Sequence, residues 1–163
     1  MGVTVTTPKV ASVFRKGPGS EFRSGSTYGG HTVACAATLA NIAIIEKEQL
    51  VANARVRGAY IRNKLEALQQ RYAMIGEISG IGLLLAVKLM ADRQAQKPFN
   101  PKLGVGSWIR DWCYQHGMIL RNNGDILVMA PALVMTDAQA DEMVTKLDAA
   151  IERTVAELVL PSR

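Results

Sequence analysis

The most constraining stretch of the chain runs from Ser24 to Glu46, where a loop of Gly, Ser and Thr passes directly into the most apolar helix pattern in the sequence. From His31 to Ile45, apolar residues such as Val33, Ala34, Cys35, Leu39, Ile42 and Ile44 fall on nearly every helical face, which predicts a helix buried all round. At about fifteen residues the run is shorter than the roughly twenty needed to cross a bilayer, so other elements must surround it. The loop ahead of it carries the hydroxyls of Ser24, Ser26, Thr27 and Tyr28 and leads to the free N–H groups at the positive end of a helix dipole. Such an arrangement suits an anion, above all a phosphate. The plainer alternative is that Ser26 and Thr27 only cap and enter the helix, as residues of this kind do at many helix starts.

The rest of the chain can supply those surroundings. With 163 residues, 48% hydrophobic and 20% charged, it has the makeup of one soluble globular domain and the size to bury a real core. Its formal charge of +5 is spread thinly and aromatic residues make up 6%, so the basic stripe with interleaved aromatics of a nucleic-acid binder is missing. Neither a leader with a cleavage site nor a long apolar run gives a signal for secretion or membrane spanning. Cys35 and Cys113 have no CxxC spacing and read as reduced thiols of a cytoplasmic protein; with His31 and His116 equally isolated, no metal motif forms.

Periodicity places the other elements. Gly2–Thr6 is β-branched and alternating, which predicts a strand; Thr7 and Pro8 then open a short helix to about Phe14. Residues 15–30 form a long loop rich in Gly and Ser. From Gln49 to Tyr72, Val51, Ala54, Gly58, Ile61, Leu65, Leu68 and Tyr72 recur at helical spacing, with Gly58 marking a close helix crossing. Strands are expected at Ile75–Ser79 and Leu83–Leu89 around Gly80-Ile81-Gly82, a GxG that lacks the third glycine and following helix of a nucleotide loop. A helix from Val105 to Gln115 ends at His116-Gly117. A hairpin follows, with Ile119–Arg121 and Ile126–Ala130 flanking Asn122-Asn123-Gly124-Asp125. Thr136 and Gln139 form a capping box for a terminal helix. The order helix, hairpin, helix, hairpin, helix makes the fold class α+β, an antiparallel layer with helices against it.

Arg121 is the second candidate of chemical interest. A guanidinium on a rigid hairpin arm can hold a carboxylate in bidentate fashion, but a solvated arginine is the ordinary occupant of such a position. His31 reads as a helix-start residue bonded to backbone, His116 as a helix C-terminal residue, and Met118, Met129 and Met135 as core filler.

The run from Ser26 to Ala37, STYGGHTVACAA, resembles the TYSGHPVACAA segment of class III pyridoxal-phosphate-dependent aminotransferases. Gly117–Arg121, Gly124-Asp125-Ile126 and Ala130-Pro131 resemble the small-domain segment of the same family, and the other elements match in order. The resemblance implies the C-terminal part of a fold-type-I enzyme: residues 1–48 as the end of the large cofactor-binding domain, with its last strand, and the start of the connecting helix region, and residues 49–163 as the small domain. It implies pyridoxal 5'-phosphate as cofactor and a homodimer in which Thr27, helped by backbone near Ser26, binds the cofactor phosphate in the neighbouring subunit's site. Arg121 matches the arginine that binds the substrate carboxylate and swings aside for substrates without one.

The departures matter as much. The Schiff-base lysine of the family, the aspartate that meets the pyridine nitrogen and the aromatic stacked on the ring all lie before the matching region, so no catalytic residue carries over to this chain. Gly29 stands where the family has serine, Thr32 and Ala132 where it has proline. The expected function is that of a segment of an amine or ω-amino-acid to pyruvate transaminase, inactive alone. The alternatives are a stand-alone dimerisation or binding module and another class III branch.

Overall fold

The computed structural model describes residues 2–158; the end of the expected 49–163 domain lies outside them. The chain divides into two compact units, Met1–Glu48 and Gln49–Arg163. In the first, Thr7 caps a single-turn helix, α1 (Pro8–Ala11), by accepting from the Val10 N–H, and a 3-10 turn continues to Arg15. After the loop comes α2 (Thr32–Lys47), which ends before Gln49 at φ 53.

Two expectations change here. Residues 2–7 form no strand, because an extended segment makes no ladder without a neighbour to bond to. Nor is α2 buried: none of its residues is, and Val33 and Leu39 are 69% and 68% exposed. Periodicity reports which faces of a helix are apolar, not what covers them.

The second unit is a four-stranded antiparallel sheet with helices on one face. Its elements are α3 (Leu50–Arg71), β1 (Ile75–Ile81), β2 (Leu84–Leu89), α4 (Val105–Gln115), β3 (Arg121–Asn123), β4 (Ile126–Met129) and α5 (Asp137–Glu157), with strand order β1-β2-β4-β3. This is the expected α+β succession. Two hairpins meet through β2 and β4, where Leu85 faces Met129 and Val87 faces Leu127. Burial alternates along β2, with Leu85, Val87 and Leu89 inward. Against that face lie Ile61, Leu65 and Leu68 of α3, Val105, Ile109 and Cys113 of α4, and Leu147, Ala150 and Ile151 of α5.

Gly58 serves a close approach, but to a strand turn and not to a helix. The carbonyl of Gly82, in the β1–β2 turn, would lie 2.2 Å from a Cβ at Gly58. The second hairpin repeats the arrangement: a Cβ at Gly106 of α4 would meet the Gly124 carbonyl at 2.2 Å. Both turn glycines have positive φ, 53° and 55°. In that second hairpin Asn123 pairs with Ile126, so the turn is Gly124-Asp125 and both asparagines belong to the strand, a register shorter in its loop than expected.

A ladder of polar contacts fixes α3 beside α5. Arg57 meets Asp137, Lys64 meets Asp141 at 2.9 Å and Arg71 meets Asp148 at 2.8 Å, three α3 positions seven apart with partners in the same order, so the helices run parallel. The Tyr60 and Tyr72 hydroxyls donate to Asp141 and Asp148 at 2.7 and 2.6 Å. The free edge of β1 is blunted as well. Arg62 donates to the Ile78 and Gly80 carbonyls at 3.1 and 2.8 Å, and Gln69 to that of Gly76 at 2.9 Å.

Two outcomes follow from this packing. Helix propensity alone favours Gly58→Ala by about 1 kcal/mol. The backbone contact reverses the sign: the variant loses about 1–3 kcal/mol, read as a lower denaturant midpoint at unchanged slope. Burial of the ring, then the hydrogen bond to Asp148, pushes the Tyr72 phenol well above its ordinary pKa. The fold therefore holds the neutral phenol. Its stabilisation is complete below the unfolded tyrosine pKa of about 10 and is lost as pH rises through and beyond it. Stability measured on either side of that pH falls on the alkaline side in the native chain and falls less in Tyr72→Phe.

Candidate functional site

The first candidate sits where the long loop meets α2. Ser20 folds back on Gly17, its N–H and hydroxyl both reaching the Gly17 carbonyl at 3.1 and 2.7 Å. The Glu21 carboxyl is held below its usual range by its own backbone N–H and by that of Gly19, with Arg23 adding a smaller effect. A second turn covers Ser26–His31: the Gly29 N–H donates to the Ser26 carbonyl at 2.9 Å and that of His31 to the Tyr28 carbonyl at 3.2 Å. A Cβ on Gly29 would stand 3.1 Å from the Ser26 carbonyl, so the turn is already tight there.

Helix α2 is capped by His31 and not by Ser26 or Thr27. His31 Nδ1 accepts from the Ala34 N–H at 3.4 Å, and the ring lies 5.9 Å from that of Tyr28. The expected backbone bond of His31 is present. The simple capping explanation of Ser26 and Thr27 is replaced, since both side chains are exposed and neither bonds to another described residue. The Thr32 and Val33 N–H groups have no acceptor among the described residues, as is usual in a first helical turn. An open concavity of about 430 Å³ lies alongside, lined by Ser26, Tyr28, Gly29, Gly30, His31 and Ala34. Free N–H groups at a helix N-terminus next to hydroxyls fit the chemistry of a phosphate group.

The second candidate, Arg121, opens β3 opposite Val128. Its side chain is exposed and has no partner among the described residues. Alternation explains the exposure: Ile119 is 89% exposed and Leu120 is buried, so Ile119 and Arg121 share an outward face, as expected from their spacing. Ser26 and Thr27 thus belong to one unit and Arg121 to the other.

His116 caps α4 and stacks on Trp112 with ring centroids 3.6 Å apart. Met129 is buried, and Met118 and Met135 pack against the core, as filler. Sequence inspection missed the group around Asn122, whose amide binds Arg110, Ser107 and Gly124. Nothing in a linear pattern joins a hairpin asparagine to an arginine on the preceding helix.

The profile of the family described as aminotransferase class-III matches residues 1–151. The chain belongs to the class III aminotransferases. These enzymes depend on pyridoxal phosphate. The chain is 37% identical over 131 residues to the diaminobutyrate–2-oxoglutarate transaminase of Halomonas elongata, covering 79% of this chain and 28% of that protein. It is 32% identical over 157 residues to the putrescine–pyruvate aminotransferase of Pseudomonas aeruginosa, covering 96% and 34%. Among solved structures, the PMP-bound form of an aminotransferase from Vibrio fluvialis superposes with a TM-score of 0.78 at 35% identity, covering 84% of this chain and 30% of that one. The chain thus spans about a third of the length of these class III relatives.

Proposed function

We propose that this class III segment supplies two binding elements to a pyridoxal-phosphate-dependent transaminase. Ser26 and Thr27, with the N–H groups opening α2, hold the cofactor phosphate, and Arg121 holds the carboxylate of the keto acid. The observation that carries this reading is the turn at Ser26–His31, which leaves the Ser26 and Thr27 hydroxyls unbonded ahead of α2, whose Thr32 and Val33 N–H groups have no acceptor among the described residues. Bound pyridoxal phosphate supplies the electron sink for moving an amino group from an amine or ω-amino acid to a keto acid. The chain's own contribution is to bind and orient: hydroxyl and backbone donors on a dianion, and a planar guanidinium on a carboxylate.

In the same reading, residues 1–48 end a large domain and residues 49–163 form the small one. The enzyme is a cytosolic homodimer in which Thr27 serves the neighbouring subunit's site. Pyruvate as acceptor is supported by the putrescine–pyruvate relative, which aligns over 96% of the chain. The diaminobutyrate relative, named for 2-oxoglutarate, supports the second reading, another class III branch with a different keto acid.

No lysine of the chain matches the family's cofactor-anchoring position, so the segment by itself does not turn over. Mixing it with pyridoxal phosphate, an amine and pyruvate gives no alanine above the protein-free control; sustained alanine formation would overturn that part of the proposal. In the complete subunit, Arg121→Lys keeps the charge but loses the fork. It raises KM for the keto acid about 10-fold, a loss of about 1.4 kcal/mol, and leaves KM for a carboxylate-free amine nearly unchanged. Equal losses for both substrates would remove Arg121 from the carboxylate role.

A further inference from the structure

A three-residue edge strand is a poor platform for a group that must meet a carboxylate at fixed geometry. β3 pairs only with β4, and Arg121 stands at its outer end, where a ladder of three pairs frays first. Yet the strand is fastened from its other face. Asn122, half-buried, points opposite to Arg121 and spends its whole amide on α4 and the turn. Its oxygen accepts from the Arg110 guanidinium at 3.0 Å, while its nitrogen donates to Ser107 Oγ at 3.3 Å and to the Gly124 carbonyl at 2.9 Å. The turn beyond is held by the same helix: Asp125 Oδ1 accepts from the Gly106 N–H at 3.0 Å, and Gly106 leaves room for the Gly124 carbonyl.

We propose that Asn122 is the positioning residue for Arg121, tying the outer strand to α4 so that the backbone from which the guanidinium reaches the keto-acid carboxylate is held in one place, while the side chain itself stays free to move. This rests on the carboxylate reading of Arg121. The chemistry is specific to an amide. Aspartate at 122 keeps the contact to Arg110 and loses both donated bonds; leucine loses all three. A bidentate contact is sensitive to small displacements of the arm that bears it, whereas amine binding does not use that arm.

The test is made in the complete holoenzyme with two readouts: KM for each substrate, and calorimetric affinity for propionate, an unreactive monocarboxylate. Asn122→Leu weakens propionate and raises KM for the keto acid about 5- to 10-fold, with kcat and KM for a carboxylate-free amine within about twofold. Asn122→Asp loses less. Should Asn122→Leu fail to fold, Arg110→Gln breaks the same contact from the exposed side of α4 and shows the same selective loss. Arg121→Ala, run in parallel, separates the possible failures. If Arg121→Ala abolishes propionate binding while Asn122→Leu and Arg110→Gln leave it intact, Asn122 does not position the arginine. If Arg121→Ala also leaves it intact, the carboxylate reading fails and this proposal falls with it. A loss spread equally over amine and keto acid would mark a merely structural role and overturn the assignment.

Discussion

The second unit depends on two places where a hairpin turn lies directly on the backbone of a helix. At Gly58 and at Gly106 a methyl group would stand 2.2 Å from a turn carbonyl, far inside van der Waals contact. Each glycine sits on the helix that precedes its hairpin, and each turn opens with a glycine at positive φ. The chain therefore builds the same helix-then-hairpin arrangement twice and joins the two through β2 and β4. With both turns seated, Leu85, Val87, Leu127 and Met129 project into one core beneath the three long helices.

The remaining freedom of α3 against α5 is removed by charge. Arg57, Lys64 and Arg71 recur with a seven-residue period, so they line one flank of α3 and meet Asp137, Asp141 and Asp148 in the same order along α5. Isolated exposed pairs of this kind contribute little each, about 0–1 kcal/mol. Two of these carboxylates, however, also accept a tyrosine hydroxyl, and Tyr72 is buried. Such a ladder selects register more than it adds stability, because sliding α5 along α3 would part every pair at once and leave the Tyr72 hydroxyl without its acceptor.

Local signals made most of this unit legible. Thr136 and Gln139 form both halves of the expected capping box; Gly117, at φ 75, follows α4 where a left-handed residue was expected; and the strand and helix periods predict the order of elements. Long-range partners left no such trace. Gly58 announced a close approach without naming its partner, and no linear pattern ties Arg62 and Gln69 to the β1 edge that they close. In the first unit the residues were read correctly as types and incorrectly as environments. Gly2–Thr6 has strand composition and no neighbour, and α2 has core composition and an exposed surface, because period and composition describe a segment while burial describes what lies against it. The two binding candidates came from chemical type and family resemblance, but the asparagine behind one of them is visible only once α4 and β3 are side by side.

The same contrast separates the two candidate binding elements. Arg121 is carried by a strand whose inward neighbour is bonded three times and whose turn rests on a helix glycine, so its backbone position is set within its own unit. Ser26 and Thr27 are carried by a turn closed by two backbone hydrogen bonds, with exposed side chains that hold nothing. A guanidinium that reaches from a fixed strand has only its own side chain left to order when a carboxylate arrives. A loop whose donors are open gains its order from what binds, and a dianionic phosphate offers enough charge-assisted hydrogen bonds to supply it. In the roles proposed for them, the strand that carries Arg121 is thus fixed before a ligand arrives, and the turn that carries Ser26 and Thr27 is the element a ligand would order.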